Sequence, residues 1–197
     1  MGIVRLGFNR PKVQALTCLE IECAVIDYFN PRVNLIVPNV SWGMFNYELD
    51  LLVLTPSGFA YEIEIKTNRA DLIRDKGKLH GHRNSKIARL YFAIPKAMHK
   101  DIEHIPEHAG IIEVHDGSPL ERGDCEIIRE SKKNTDYVFT DKERYKIARL
   151  GTLRILGLKK TIRGLVKDIN EYHKLAQTKS SLPAMGALSE TPKLEQS

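Results

Sequence analysis

The chain has 197 residues, 42% of them hydrophobic and 28% charged, and its 30 Lys and Arg against 25 Asp and Glu leave a net charge of +5. That is enough chain to bury a core in one domain, or in one domain with an appendage. No 18-residue apolar run is present to suggest a membrane span, and a pI near 9.0 is compatible with a polyanionic partner without naming one. The opening MGIVRLGFNRPK carries neither a secretory apolar region nor a myristoylation Ser or Thr. Cys18, Cys23 and Cys125 are odd in number and scattered. They read as small reduced core residues of a cytoplasmic protein, not as disulfides or zinc ligands.

Residues 11–29 place Val13, Leu16, Leu19, Cys23 and Ile26 at helical spacing, and Asn30-Pro31 stops the pattern. VNLIVPNV (33–40) is strand-like, with Pro38 marking an edge or bend. YELDLLVL (47–54), TPSG and FAYEIEIKT (59–67) read as a hairpin, RADLIRDKGKL (69–79) as a short helix and HGHRNSK (80–86) as a basic loop. ARLYFAIP (88–95) and AGIIEV (109–114) read as buried strands, with one or two helical turns between them at 96–104. HDGSPLERGD is a turn-rich loop, and IIRESKKNTD (127–136) a polar surface stretch.

Residues 141–176 have a helical period with Gly151, Gly157 and Gly164 as expected interruptions. Their apolar stripe, from Tyr145 and Ile147 through Leu153, Leu156, Leu158, Ile162 and Leu165 to Ile169, should be buried next to the sheet or across a subunit interface. From Thr178 onward Ser, Pro, Gly, Thr and Gln dominate, and a disordered tail is expected. This order predicts an α/β protein in which helices flank a mixed central sheet. The expected division is a domain over 1–130, a helical extension over 131–177 packed on it, and a tail over 178–197.

The turn in the hairpin sets its register. Pro56 suits the first central position of a type I turn and Gly58 the left-handed residue after it, which is a three-residue loop with a bulge at glycine. Thr55 then opposes Phe59, Leu51 opposes Ile63, and Asp50 opposes Glu64. One face should carry Leu49, Leu51, Val53, Phe59, Tyr61, Ile63 and Ile65 as core, and the other Glu48, Asp50, Glu62, Glu64 and Lys66.

Two directly opposed carboxylates repel unless a cation lies between them. A hard divalent ion with oxygen ligands, most simply Mg²⁺, with Mn²⁺ as a substitute, resolves the conflict. Lys66, two residues along the same face, could then stabilise a pentavalent phosphate or orient the attacking water. Acid-x-lysine recurs at Glu130/Lys132, in a stretch without strand pattern. An ordinary polar strand face is the competing reading of the hairpin. On either view the face is not core, so Lys66→Ala and Asp50→Ala should leave folding intact.

Asp50, Glu64-Ile65-Lys66 and an upstream helix with glutamates resemble the PD-(D/E)xK nuclease superfamily, whose core is restriction-endonuclease-like. YEIEIKTNRADLIRDKGK with ARLYFAIP and EHAGIIEV more narrowly resembles the MmcB-related DNA repair proteins, over roughly residues 14–114. LHGHRNSKIAR (79–89) departs from that pattern, where a more aromatic helix continuation is expected. The resemblance implies that Asp50, Glu64, the Ile65 carbonyl and a helix glutamate hold the metal, with Lys66 as catalytic lysine. Between the helix glutamates Glu20 is favoured, because it borders Leu16, Cys23 and Ala24. Glu22, beside Leu19 and Ile26, is close behind.

Basic residues flank this region on both sides. Arg69, Arg74, Lys76, Lys78, Arg83 and Lys86, with His80 and His82, follow the active strand, and Arg154, Lys159, Lys160 and Arg163 lie in the C-terminal helices. Each run alone is an ordinary solvated face, but together they suggest a DNA-backbone footprint without base reading. The expected function is a metal-dependent deoxyribonuclease of repair or recombination. The alternative is a catalytically inactive nuclease-fold DNA-binding or assembly module, and a homodimer is compatible with either.

Overall fold

Thr17 decides where the first helix starts. The structure, a computed structural model, describes residues 15–41, 43, 45, 47–75, 84–115 and 124–180, with side chains as far as 177. Thr17 is extended, its hydroxyl accepts the Glu20 N–H at 3.3 Å, and its own N–H donates to Glu20 Oε2 at 2.7 Å. This capping box satisfies two orphan donors, and Leu16 in front of it packs in the same cluster as Ile21 beyond it. Helix α1 therefore spans Cys18–Tyr28, a shorter element than the periodicity over 11–29 predicts. It ends as expected, with Asn30 at φ 53° and its Oδ1 accepting the Arg32 N–H.

Six strands follow: β1 Leu35–Val40, β2 Leu49–Leu54, β3 Ala60–Ile65, β4 Ile87–Pro95, β5 Gly110–Val114 and β6 Cys125–Arg129. They form one sheet in chain order, antiparallel across β1–β2–β3 and β5–β6 and parallel across β3–β4–β5. Helix α2, Arg69–Asp75, follows β3, and a 3-10 helix over Lys96–His104 joins β4 to β5. This is the mixed α/β class that the element order predicts. Strand β6 is an addition. Its Ile127 and Ile128 lie within the stretch read as polar surface, and they cover the β5 edge on opposite faces.

The hairpin has the register that its turn dictates. Gly58 sits at φ 90°, Thr55 N–H donates to the Phe59 carbonyl at 2.9 Å, and Leu51 pairs with Ile63. A Cβ on Gly58 would lie 2.6 Å from Val138 Cγ1, so both the turn and the packing require glycine there. Leu51, Val53, Ile63 and Ile65 pack against Ile21, Ala24 and Val25 of α1.

The opposite face is not the exposed polar surface expected of it. Leu52 and Leu54 pack there with Val37, Val40, Phe139 and Ile147, and Leu90, Phe92 and Ile94 pack with Leu72 of α2. Glu62 and Glu64 are sealed in that layer at 0% and 1% exposure. Leu49 also joins it instead of the α1 face, because it begins β2 beside Val40, next to the left-handed Asn39.

Helix α3 runs without a break from Asp141 to Ser180, through all three glycines expected to interrupt it. A helix-interior glycine costs only about 1 kcal/mol relative to alanine, too little to end a helix whose other residues favour it. The chain divides into two compact units, Met1–Arg154 and Ile155–Ser197. The boundary falls inside α3 and not at residue 130, because residues 131–154 complete the first unit. Phe139 and Ile147 are core, and Asn134 N–H donates to the Ala88 carbonyl at 2.8 Å. Of the expected apolar stripe Ile147 is buried, whereas Tyr145 and residues 152–177 are exposed, apolar ones included. The tail beyond residue 180 lies outside the described residues. Cys18 and Cys23 are exposed and Cys125 half-buried, against the expectation that all three are core. The α1 face that packs consists of Ile21, Ala24 and Val25.

Candidate active site

Strand β3 delivers a buried acid and a buried lysine to one place. Lys66 Nζ donates to Glu64 Oε2 at 3.0 Å and lies 3.5 Å from Asp75 Oδ1, and the three side chains are at most 5% exposed. The paired register of β2 and β3 ends at Leu51 opposite Ile63, and beyond it Asp50 Oδ2 accepts the Ile65 N–H at 2.8 Å. Lys66 N–H in turn donates to the Ala93 carbonyl of β4 at 3.0 Å, which holds the end of β3 between two neighbours.

The electrostatics are those of a crowded carboxylate cluster around one cation. Burial pulls the Lys66 ammonium down, but Glu64, Asp75 and Asp50 outweigh it and hold the group above the ordinary lysine value. Lys66 is thus a fixed positive charge at neutral pH. Tyr47 donates to Glu62 Oε2 at 2.8 Å, and burial followed by the Glu62 charge drives its phenol far above the ordinary range.

The two helix glutamates separate clearly. Glu20, favoured by its neighbours in sequence, is exposed and spends its carboxylate on Thr17 in the capping box, where both Thr17 bonds pull its pKa down. Glu22 is half-buried, and burial and then the charge of Asp50 raise its pKa. Of the two, Glu22 is the one whose carboxyl the Asp50 charge bears on, and Glu20 is spent on the cap.

Asp75 was missed by sequence reasoning. Its signal was available: it stands three residues after the buried Leu72, on the inward face of α2, where an acid has no reason to be unless something pairs with it. Asp50, Glu64 and Glu22 are oxygen donors of the kind a hard divalent cation prefers. The Glu22 carboxyl is raised first by burial and then by the Asp50 charge, and among the described residues no three His, Cys, Asp or Glu side chains are gathered as a ready metal site.

Several of the basic residues are engaged by local partners. Arg69 meets Asp101 at 3.2 Å and His104 Nε2, and Arg74 pairs with Asp71 at 2.9 Å. Lys86 is tied to Glu143 at 2.6 Å and lies over the Tyr137 ring, so it anchors the first turn of α3. Arg154 donates to the Asn39 carbonyl and contacts Ser41 Oγ. Lys159, Lys160 and Arg163 are exposed on α3. Lys76, Lys78, His80, His82 and Arg83 lie outside the described residues.

No family model and no curated protein matches the chain. Among solved structures it is similar to a protein of unknown function from Silicibacter pomeroyi, with a TM-score of 0.52 and 18% identity, covering 76% of this chain and 94% of that one. At that identity the likeness speaks to the fold alone, which is a mixed α/β sheet flanked by helices. Among the described residues no helix is long and apolar enough to cross a membrane.

Proposed function

We propose that the chain is a metal-dependent deoxyribonuclease of the PD-(D/E)xK, restriction-endonuclease-like kind, related in type to the MmcB-like DNA repair proteins. The observation that carries the reading is the buried Glu64–Lys66 pair at the end of β3, with Asp50 bonded to the Ile65 N–H between them. Asp50, Glu64, the Ile65 carbonyl and Glu22 would hold Mg²⁺ or Mn²⁺. The ion supplies Lewis acidity and lowers the pKa of a water that it binds.

The chain's own residues supply the rest. A lysine held charged cannot accept a proton from water at neutral pH, so Lys66 serves as a cation. It steadies the negative charge that gathers on the phosphate during attack and fixes the nucleophile's approach. Asp75 of α2 positions that ammonium, 3.5 Å away.

The test is cleavage of supercoiled, linear, single-stranded and branched DNA with Mg²⁺ or Mn²⁺. Metal-dependent product that Lys66→Ala and Asp50→Ala abolish is the expected result, and a wild-type protein inert on every substrate overturns it. A second reading, a DNA-binding or assembly module without chemistry, is favoured by one feature: the Lys66 ammonium pairs directly with Glu64, an expected metal ligand, at 3.0 Å. Mn²⁺ calorimetry distinguishes the two, because the second reading predicts no heat that depends on Asp50.

A further inference from the structure

From Ile155 onward α3 carries Ile155, Leu158, Ile162, Leu165, Ile169 and Tyr172, each more than half exposed. The spacings are 3, 4, 3, 4 and 3 residues, which is a heptad seam with isoleucine at every a position and Leu, Leu and Tyr at successive d positions. The frame covers three heptads, 155–175, or about 32 Å of helix. A monomeric soluble chain rarely leaves such a contiguous apolar strip in water.

We propose that a second copy of this chain docks on this seam, forming a parallel two-stranded coiled coil. This inference is independent of the nuclease reading. β-Branched residues at a with leucine at d select two parallel strands over three or four. The charges agree with self-pairing. Lys160, Arg163, Lys167 and Lys174 fall at b and f positions on the outer side, so the basic residues of two copies do not meet across the seam. Asp168 at g would face His173 at e of the second copy, an attractive pairing. Lys159 at e is the exception and weakens the first heptad. A membrane surface fits less well, because only Leu156, Val166 and Leu175 widen the a/d strip, and lysines hold every f position.

Light scattering on the full chain across a dilution series should give twice 22.4 kDa. Ile162→Asp should halve the mass, whereas Lys160→Asp, on the outer face, should leave it unchanged. In a background with Cys18, Cys23 and Cys125 replaced by serine, Leu165→Cys should oxidise to a covalent dimer, because in-register parallel helices bring the two d residues face to face. A wild-type monomer at every concentration overturns the proposal, whether or not that monomer binds anionic vesicles. A trimer or larger assembly overturns the two-stranded assignment. A dimer that Leu165→Cys does not cross-link overturns the parallel register.

Discussion

Lys66 Nζ lies 3.0 Å from Glu64 Oε2 in a layer from which both side chains are almost wholly shielded from water. Truncating the lysine leaves a carboxylate buried without its cation, and breaking such a pair costs about 3–5 kcal/mol. Lys66→Ala is therefore expected to lose both activity and stability, contrary to the expectation from a polar exposed face. A denaturant midpoint unchanged from wild type would show that the pair is not buried as described. Lys66→Met, which retains most of the volume, should lose less stability than alanine while remaining just as inactive.

Asp75 acts through Lys66, so its removal should read differently. Asp75→Asn keeps the shape but removes one of the charges that raise the Lys66 pKa. The folded lysine stays charged below its raised pKa and loses its charge as pH rises through it. Weakening the pull therefore moves the alkaline limb of activity to lower pH. A pH profile superimposable on wild type would reduce Asp75 to a packing role.

Glu20 and Glu22 make a paired test. Glu20→Gln should cost no more than a capping interaction, about 0.5–2 kcal/mol, with Mn²⁺ binding intact. Glu22→Gln should weaken Mn²⁺ binding by about tenfold, or ~1.4 kcal/mol of binding free energy, and should not destabilise, because burial and Asp50 already penalise its charge. If instead Glu20→Gln weakens the metal, the assignment of the helix acid is reversed.

What the sequence showed of this site was the part that local chemistry determines. Pro56 and Gly58 set a turn, and the turn set the register in which Leu51 opposes Ile63. The choice of Glu22 over Glu20 depended on Thr17 capping α1, which competes for Glu20 and is invisible to an apolar stripe count. Glu62 pairs with Leu52, whose layer Phe139 and Ile147 complete from far along the chain, and Glu64 is enclosed with Lys66 and with Asp75 of α2. No periodicity within β3 records that cover. Strand β6 was hidden because its last residue, Arg129, and the Glu130 that follows made the stretch look polar, although Arg129 is spent on the Ala109 and Pro106 carbonyls.

Glu143 joins α3 to the sheet and should make the fold acid-sensitive. Burial alone would raise its carboxyl, but hydrogen bonds from Lys86, Tyr137 and Thr140 pull it down to about 2 from an ordinary 4.5. A depressed acid contributes stability that is complete above its unfolded value and lost as pH falls through the folded one. Wild-type Tm should therefore fall between about pH 4.5 and 2 with a component that Glu143→Gln lacks. Equal acid slopes for the two proteins would remove Glu143 from the account.

The basic residues of α3 give the last test, on the DNA side of the proposed function. Arg154 is held at the Asn39 carbonyl, which leaves Lys159, Lys160 and Arg163 as the exposed charges of that group available to phosphates. Each phosphate contact contributes about 0.9 to the slope of log affinity against log salt on duplex DNA, so replacing all three with glutamine should flatten the slope by up to about 3. Arg154→Gln alone should change it little. Mn²⁺ affinity should be unchanged in both variants, since neither touches Asp50, Glu64 or Glu22. A triple variant that binds DNA like wild type at every salt concentration would assign these charges to solubility, and the seam beside them to assembly alone.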